Sequence, residues 1–271
     1  MAGIFDVHAH LAHEKYVEEG VTVEEIVDDA RNFGVDRIVN VGYNVETSKI
    51  VMLQANRING LYAAVGIHPL EVKFVTDEAY AKIDDYANSK KVLAIGEIGL
   101  DYYEKNFNKE NQLHGFEMQL KIAKQNNLAV LLHIRDVENN YTAFDDVLKL
   151  LDKYDIKRAA VHSFTGNWDI AQKFIKRGYY ISISGLITYA RKFEELKNVV
   201  KNASLNYLVI ESDSPHITPE PKKGKLNYPG NLQLTINKIT SIKGIEKDEV
   251  ISSTRVNAQK LFGLLNKKDF L

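Results

Sequence analysis

Two histidines one residue apart close the first apolar run of the chain, Ile4-Phe5-Asp6-Val7-His8-Ala9-His10. Side chains of a strand alternate between faces, so residues two apart share one. His8 and His10 therefore offer two imidazoles to a single divalent ion. Later apolar runs end in the same kind of residue. Val92 to Ile95 leads into Glu97, Val130 to Leu132 into His133, and Ala159 to Val161 into His162. Leu208 to Ile210 leads into Glu211 and Asp213. Core packing gives no reason for five separated runs to end in His, Glu or Asp. The pattern points to a metal-dependent hydrolase carried on a β/α barrel.

Such dispersed ligands need a frame that brings strand ends together. Strands are expected at 4–8, 37–41, 61–65, 92–95, 129–133, 159–161, 180–183 and 207–210, several of them β-branched and continuous like strands buried on both faces. Helical periodicity fills the gaps at 23–33, 109–126, 143–154, 168–176, 191–201, 231–242 and 247–265. Thr22 with Glu25 three residues on reads as a capping box. Strands alternating with helices fit a closed barrel or a doubly wound open sheet. An open sheet gathers its site at one crevice. A barrel gathers the ends of all strands around one mouth, and only that geometry lets these residues meet. The expectation is one (β/α)₈ barrel domain over residues 1–271, with the metal site at the C-terminal mouth of the strands.

The bulk numbers agree. The chain has 271 residues and is 45% hydrophobic, close to the roughly 250 of one such barrel. With 35 basic and 36 acidic residues the net charge is −1, so no global field draws it to a polyanion, and such a substrate must be gripped locally. The absence of cysteine excludes disulfides and thiolate zinc sites. No basic leader opens the chain, and no run nears the roughly 18 apolar residues of a membrane span. A cytoplasmic protein is expected.

Individual residues carry different weights. A lone strand histidine is more often a core residue bonded to a carbonyl; the pair, and its echo in His133 and His162, favours ligation. Glu97 is flanked by Gly96 and, two on, Gly99, which suggests a tight strand-to-loop turn with backbone close to the site. Its two oxygens can bridge two ions. Asp101 orients a ligand or is a solvated turn residue. Asp213 can bind metal and accept a proton from the attacking water. Glu211 shares its face or pairs with a base inside the barrel. For phosphate handling the candidates are His68, held in Gly66-Ile67-His68-Pro69, and Arg135, whose alternative is a salt bridge to Asp136 or Glu138. Lys225, on the loop 218–230, is a further substrate contact, although Lys222, Lys223 and Lys225 also read as a solvated face. His13 and His114 have no assigned role.

Taken in order, these motifs are specific. They include Asp6-Val7-His8-Ala9-His10-Leu11, Gly66-Ile67-His68-Pro69, Gly96-Glu97-Ile98-Gly99-Leu100-Asp101-Tyr102 and Gln112 through Phe116 to Gln119. His133-x-Arg135, His162-Ser163-Phe164-Thr165-Gly166, Gly178 through Ser182 to Gly185 and Glu211-Ser212-Asp213-Ser214-Pro215 follow. Gly224-Lys225-x-Asn227-x-Pro229 and Thr254-x-x-Asn257-x-x-x-x-Phe262 complete the set. The chain resembles the TatD family of metal-dependent hydrolases, within the amidohydrolase-type barrels. Departures are Ala12-His13 after the HxH leucine, Ala129, His216 and Lys223; none removes a ligand.

The resemblance implies two divalent ions, Zn²⁺, Mg²⁺ or Mn²⁺. His8, His10, Glu97 and Asp213 would hold one, and Glu97, His133 and His162 the other, with Glu97 as the bridge. It implies a deoxyribonuclease that cleaves phosphodiester bonds of DNA, single-stranded or from an end, with a metal-activated hydroxide, Asp213 and Glu97 being the catalytic pair. The alternative on the same metals is hydrolysis of a carboxylic ester or amide, such as D-aminoacyl-tRNA. A barrel that only binds a partner is the remote reading. No obligate protein partner and no membrane is expected.

Overall fold

The structure, a computed structural model, describes residues 2–189 and 193–265. Eight parallel strands each pair with the next in chain order: β1 (Ile4–Ala9), β2 (Val35–Val41), β3 (Leu61–Val65), β4 (Val92–Asp101), β5 (Ala129–Arg135), β6 (Ala159–Val161), β7 (Tyr180–Ile183) and β8 (Leu208–Ile210). The order never reverses, so the open-sheet alternative falls. The ring closes just beyond β8, where the Asp213 amide donates to the His8 carbonyl at 2.9 Å and the His10 amide to the Ser214 carbonyl at 2.6 Å.

Helices fill the connections: α1 (Glu14–Glu18), α2 (Val23–Asn32), α3 (Val45–Arg57), α4 (Asp77–Ala87), α5 (Lys109–Gln125), α6 (Thr142–Lys153), α7 (Trp168–Ile175), α8 (Glu194–Asn202), α9 (Leu232–Lys243) and α10 (Lys247–Leu261). The Thr22–Glu25 capping box is present on α2. The start of the helix expected at 191–201 lies outside the described residues. Helices α1, α3 and α4 are absent from the sequence expectation. Most positions of α4 are polar, and only Tyr80, Ile83 and Ala87 of its described residues are buried. Asn44 and Thr47 cap α3 reciprocally, a pairing without the usual Glu or Gln.

The core forms two shells. Phe5, Val7, Val39, Tyr62, Leu131 and Val209 belong to an inner one, and Phe262 closes its floor with its ring centre 5.7 Å from that of Phe5. Ile38, Ile95, Leu132 and Ile183 face outward against Ile26, Val51, Phe116 and Phe174 of the helices. Each large side chain so buried contributes about 1.5–3 kcal/mol. This frame fixes the strand ends on which the site is built.

Two bulges aim the site residues. Between β1 and β2 the pairs Asp6↔Ile38 and Ala9↔Asn40 put three steps of one strand against two of the other. The extra residue resets the alternation, so Phe5 and Val7 fill the barrel while His8 and His10 also turn inward above them. β4 repeats the device between Ile95↔Val130 and Ile98↔Leu132, and Glu97 sits in that bulge. The glycines therefore do not mark a strand-to-loop turn. β4 continues to Asp101. A Cβ at Gly96 would lie 2.7 Å from the Leu131 Cβ, and one at Gly99 would fall on the His133 carbonyl. The glycines permit close backbone approach to β5.

Candidate metal centre

The six residues expected as ligands converge. Glu97 is buried at the centre of the mouth and its two oxygens face different partners. Oε2 lies 3.5 Å from His8 Nε2 and 3.4 Å from His10 Nε2. Oε1 lies 2.7 Å from His133 Nδ1 and 3.4 Å from His162 Nε2. Asp213 Oδ1 completes the first group, 3.7 Å from His10 Nε2 and 4.0 Å from His8 Nε2. An ion about 2.0–2.2 Å from each tetrahedral donor sets the donors roughly 3.3–3.6 Å apart. The distances from Glu97 to His8, His10 and His162 match that spacing, so the donor set fits divalent ions. Among the described residues, the compact clusters able to hold an ion are His8–His10–Asp213, His68–Glu97–His133 and His8–His162–Glu211.

Hydrogen bonds fix the ring nitrogens. His10 Nδ1 lies 2.9 Å from the Val41 carbonyl, which can only accept, so Nδ1 carries a proton and Nε2 is the nitrogen turned toward the site. His68 is the reverse. The Leu70 amide donates to its Nδ1 at 3.2 Å, so a neutral His68 carries its proton on Nε2, 3.8 Å from Glu97 Oε1. Burial and the neighbouring His133 push its pKa down to about 3, which keeps it a neutral donor. His8 stacks on His162 with ring centres 3.8 Å apart, and its buried Nδ1 has no hydrogen-bond partner among the described residues.

A layer of polar residues holds the ligands. Glu211, fully buried, places Oε1 2.9 Å from His162 Nδ1. It also accepts from the Ser163 amide at 2.6 Å and the Ser182 hydroxyl at 2.6 Å. Asp101 Oδ2 meets His133 Nε2 at 3.0 Å. Gln112 of α5 clamps the Asp101 backbone, accepting from its amide at 2.8 Å and donating to its carbonyl at 2.9 Å. Gln119, seven residues on, does the same to Ile67 at 2.7 and 2.9 Å. One helix thereby sets the positions of both Asp101 and His68. Ser163 and Asp213 take left-handed backbone, with φ of 41° and 52°. For residues other than glycine this costs about 1–3 kcal/mol and recurs at functional sites.

Charge follows geometry. Burial alone would raise the Glu97 carboxyl, but the charge of His162 and hydrogen bonds from His10, His133 and His8 hold it well below the usual range. Burial likewise works against a charged His162, yet Glu211, Glu97 and Asp213 outweigh it and lift its pKa to about 10. Burial raises Asp213 to about 7, with His162 and His10 opposing.

The mouth cavity, about 450 Å³, is lined by these groups together with Arg135, Tyr43, His13, His216 and Leu70. Arg135 pairs with neither Asp136 nor Glu138; its nearest carboxylate is Glu104 at 3.8 Å, and it stacks on Tyr103. Asp136 instead accepts from the Ala143 amide at the start of α6. Lys225 does not line the mouth. It borders a separate hollow with Glu19, Asp29 and Phe33, because Asn227 ties its loop down, donating to the Ser212 and His216 carbonyls. Tyr43 and Leu70 were not singled out in the sequence, and His13 was left without a role. Their signal is their place directly after the first three strands.

Comparison with known proteins agrees with this geometry. The family profile described as TatD related DNase matches residues 5–263. The chain belongs to the TatD family. As a member it is a metal-dependent hydrolase. It is 34% identical over 261 residues, 96% of this chain and 98% of the relative, to the uncharacterized metal-dependent hydrolase YabD of Bacillus subtilis. It is 29% identical over 268 residues, 97% and 99% of the two chains, to the 3'-5' ssDNA/RNA exonuclease TatD of Citrobacter rodentium. The crystal structure of YJJV, a TatD homolog from Escherichia coli K12, superposes with a TM-score of 0.88 at 27% identity, covering 96% of this chain and 98% of that one. At 14% identity and a TM-score of 0.64, an organophosphorus hydrolase from Deinococcus radiodurans shares the fold. Among the described residues of this TatD chain no helix is long and apolar enough to cross a membrane.

Proposed function

We propose that this chain, read as one barrel domain, is a nuclease that hydrolyses phosphodiester bonds of DNA from a single-stranded end. The observation that carries the reading is the division of Glu97, with Oε2 turned to His8 and His10 and Oε1 to His133 and His162. His8, His10 and Asp213 would hold one divalent ion, His133 and His162 a second, and Glu97 both. Divalent ions held there would supply Lewis acidity, lowering the pKa of a water to about 7 and polarising the attacked group.

The chain's own residues supply the rest. Asp213, held near neutral pKa by burial, takes the proton that the attacking water loses on the carboxylate oxygen that Oδ1 leaves free. His68 donates Nε2–H, and Arg135 its guanidinium, to the non-bridging oxygens of the phosphate. Glu211 and Asp101 hold His162 and His133 in orientation. The name of the Citrobacter relative, a 3'-5' ssDNA/RNA exonuclease matched over nearly its full length, supports the phosphodiester reading over a carboxylic ester.

The test is turnover of a single-stranded oligonucleotide against an aminoacyl ester by protein loaded with Mg²⁺, Mn²⁺ or Zn²⁺ in turn. Cleavage of the oligonucleotide with the ester untouched is expected. Ester hydrolysis without DNA cleavage would overturn the reading.

A further inference from the structure

Behind Leu70 lies a second, larger cavity of about 610 Å³ that the reaction described above does not use. Its walls come from the loops after β3 and β4 and the start of α5. Leu70 lines both hollows. Arg135, on the mouth wall, holds its guanidinium 3.8 Å from the centre of the Tyr103 ring, which lines the second cavity. One leucine and one stacked pair are thus the ridge between the metals' ligands and this trough.

The trough has an unusual composition for exposed surface. Tyr103 is 47% exposed, Leu70 44% and Phe107 36%. The Phe107 ring is held flat against Tyr102, with centres 4.8 Å apart and planes within 17°. Lys73, its ammonium 5.0 Å from the centre of the Phe74 ring, and Lys105 also line it, and neither has a carboxylate partner among the described residues. Glu104 is the one acid on the lining, and it faces Arg135. The asparagines Asn106 and Asn111 add amides that both donate and accept.

Exposed aromatic planes interleaved with cations that have no carboxylate partner match one ligand chemistry. Unstacked bases lie on such rings while phosphates run along the cations, and a duplex hides those base faces. We propose that this trough binds the stretch of single-stranded DNA adjoining the nucleotide under attack, with bases on Tyr103 and Phe107 and backbone along Lys73 and Lys105. The proposal rests on the nuclease reading and adds to it a path for the strand.

The metal-loaded enzyme is tested with a fluorescent, cleavage-resistant phosphorothioate dT decamer by anisotropy, and with a plain dT decamer and a dT dinucleotide by hydrolysis. Phe107→Ala should weaken decamer binding about 5- to 20-fold, the loss of one stacked base, and lower the decamer-to-dinucleotide ratio of kcat/KM by a similar factor. Lys105→Ala should flatten the plot of log affinity against log salt by about 0.7, the effect of one single-strand phosphate contact, which a merely structural role would not do. A duplex of equal length should bind more weakly than the single strand. Variants that bind the decamer like wild type, a decamer-to-dinucleotide ratio that does not change, or a duplex that binds as well would each overturn the trough. A wild-type enzyme that leaves every oligonucleotide intact would refute the nuclease reading itself; a wild type that cleaves the decamer, with variants indistinguishable from it, would refute the trough alone.

Discussion

Glu211 holds His162 from beneath, its Oε1 2.9 Å from the ring Nδ1 with both side chains buried. A carboxylate behind a ligating imidazole fixes the ring and raises its basicity, and removing it commonly costs 10- to 100-fold in metal affinity or activity. Glu211→Gln keeps the shape and the contact to Ser182 but loses the charge. We expect metal affinity to fall by about that factor while the fold and Tm change little. Affinity equal to wild type, measured by titration with a competing chelator, would show that Glu211 is only a packing residue.

The same pairing sets a pH dependence. Without metal, His162 has a pKa raised to about 10 by Glu211, Glu97 and Asp213 against the effect of burial. Its ring is therefore protonated at pH 7, and Nε2 must lose that proton to ligate. Binding at pH 7 should release about one proton from this residue, and apparent affinity should climb as pH rises toward 10. Calorimetry in buffers of different ionisation enthalpy reads the proton count. Metal affinity that stays flat from pH 6 to 9 with no proton release would contradict the assignment of His162.

Arg135→Ala tests phosphate contact. As an exposed partner of Glu104 at 3.8 Å the arginine is worth only about 0–1 kcal/mol to stability, so Tm should hardly move. If it donates to phosphate, the loss of a charge-assisted hydrogen bond of about 1.5–3 kcal/mol should raise KM for an oligonucleotide roughly 10- to 100-fold, with bound metal intact. Unchanged KM and kcat on every oligonucleotide would leave Arg135 as a surface pair that also stacks on Tyr103.

Most of the frame was legible because a buried parallel strand is a short apolar run, and all eight strands begin within about two residues of expectation. The β4 strand runs on to Asp101 because its ladder with β5 continues from Ile98↔Leu132 to Asp101↔Arg135, a partnership that no local pattern reveals. The ligands were legible as residue types at strand ends. Their aim was not, since it depends on the bulges at 6–9 and 95–98. Asp101 and Glu211 gained their partners, His133 and His162, only through closure of the barrel. Lys225 was drawn in by its motif, but Asn227, from the same motif, anchors the loop in a way that turns the lysine to another hollow.

Asp213→Asn tests proton transfer. The amide keeps the shape and one ligating oxygen but loses charge and basicity. The protein should fold normally and keep the ion near His133 and His162, while kcat falls by about 10²–10⁴. The loss should be similar for good and poor leaving groups, because the acid serves the attacking water. Near-wild-type kcat with full metal would reduce Asp213 to a structural ligand.

The most direct measurement is metal content together with hydrolysis in Glu97→Ala. Glu97 lies in a bulge at the mouth, outside the packed inner shell, so the barrel should persist by circular dichroism. Removing the carboxylate between the two histidine pairs should lower metal bound per chain and cut oligonucleotide cleavage in the same preparation. A folded variant that retains two tightly bound ions and cleaves DNA at the wild-type rate would contradict the shared-carboxylate centre.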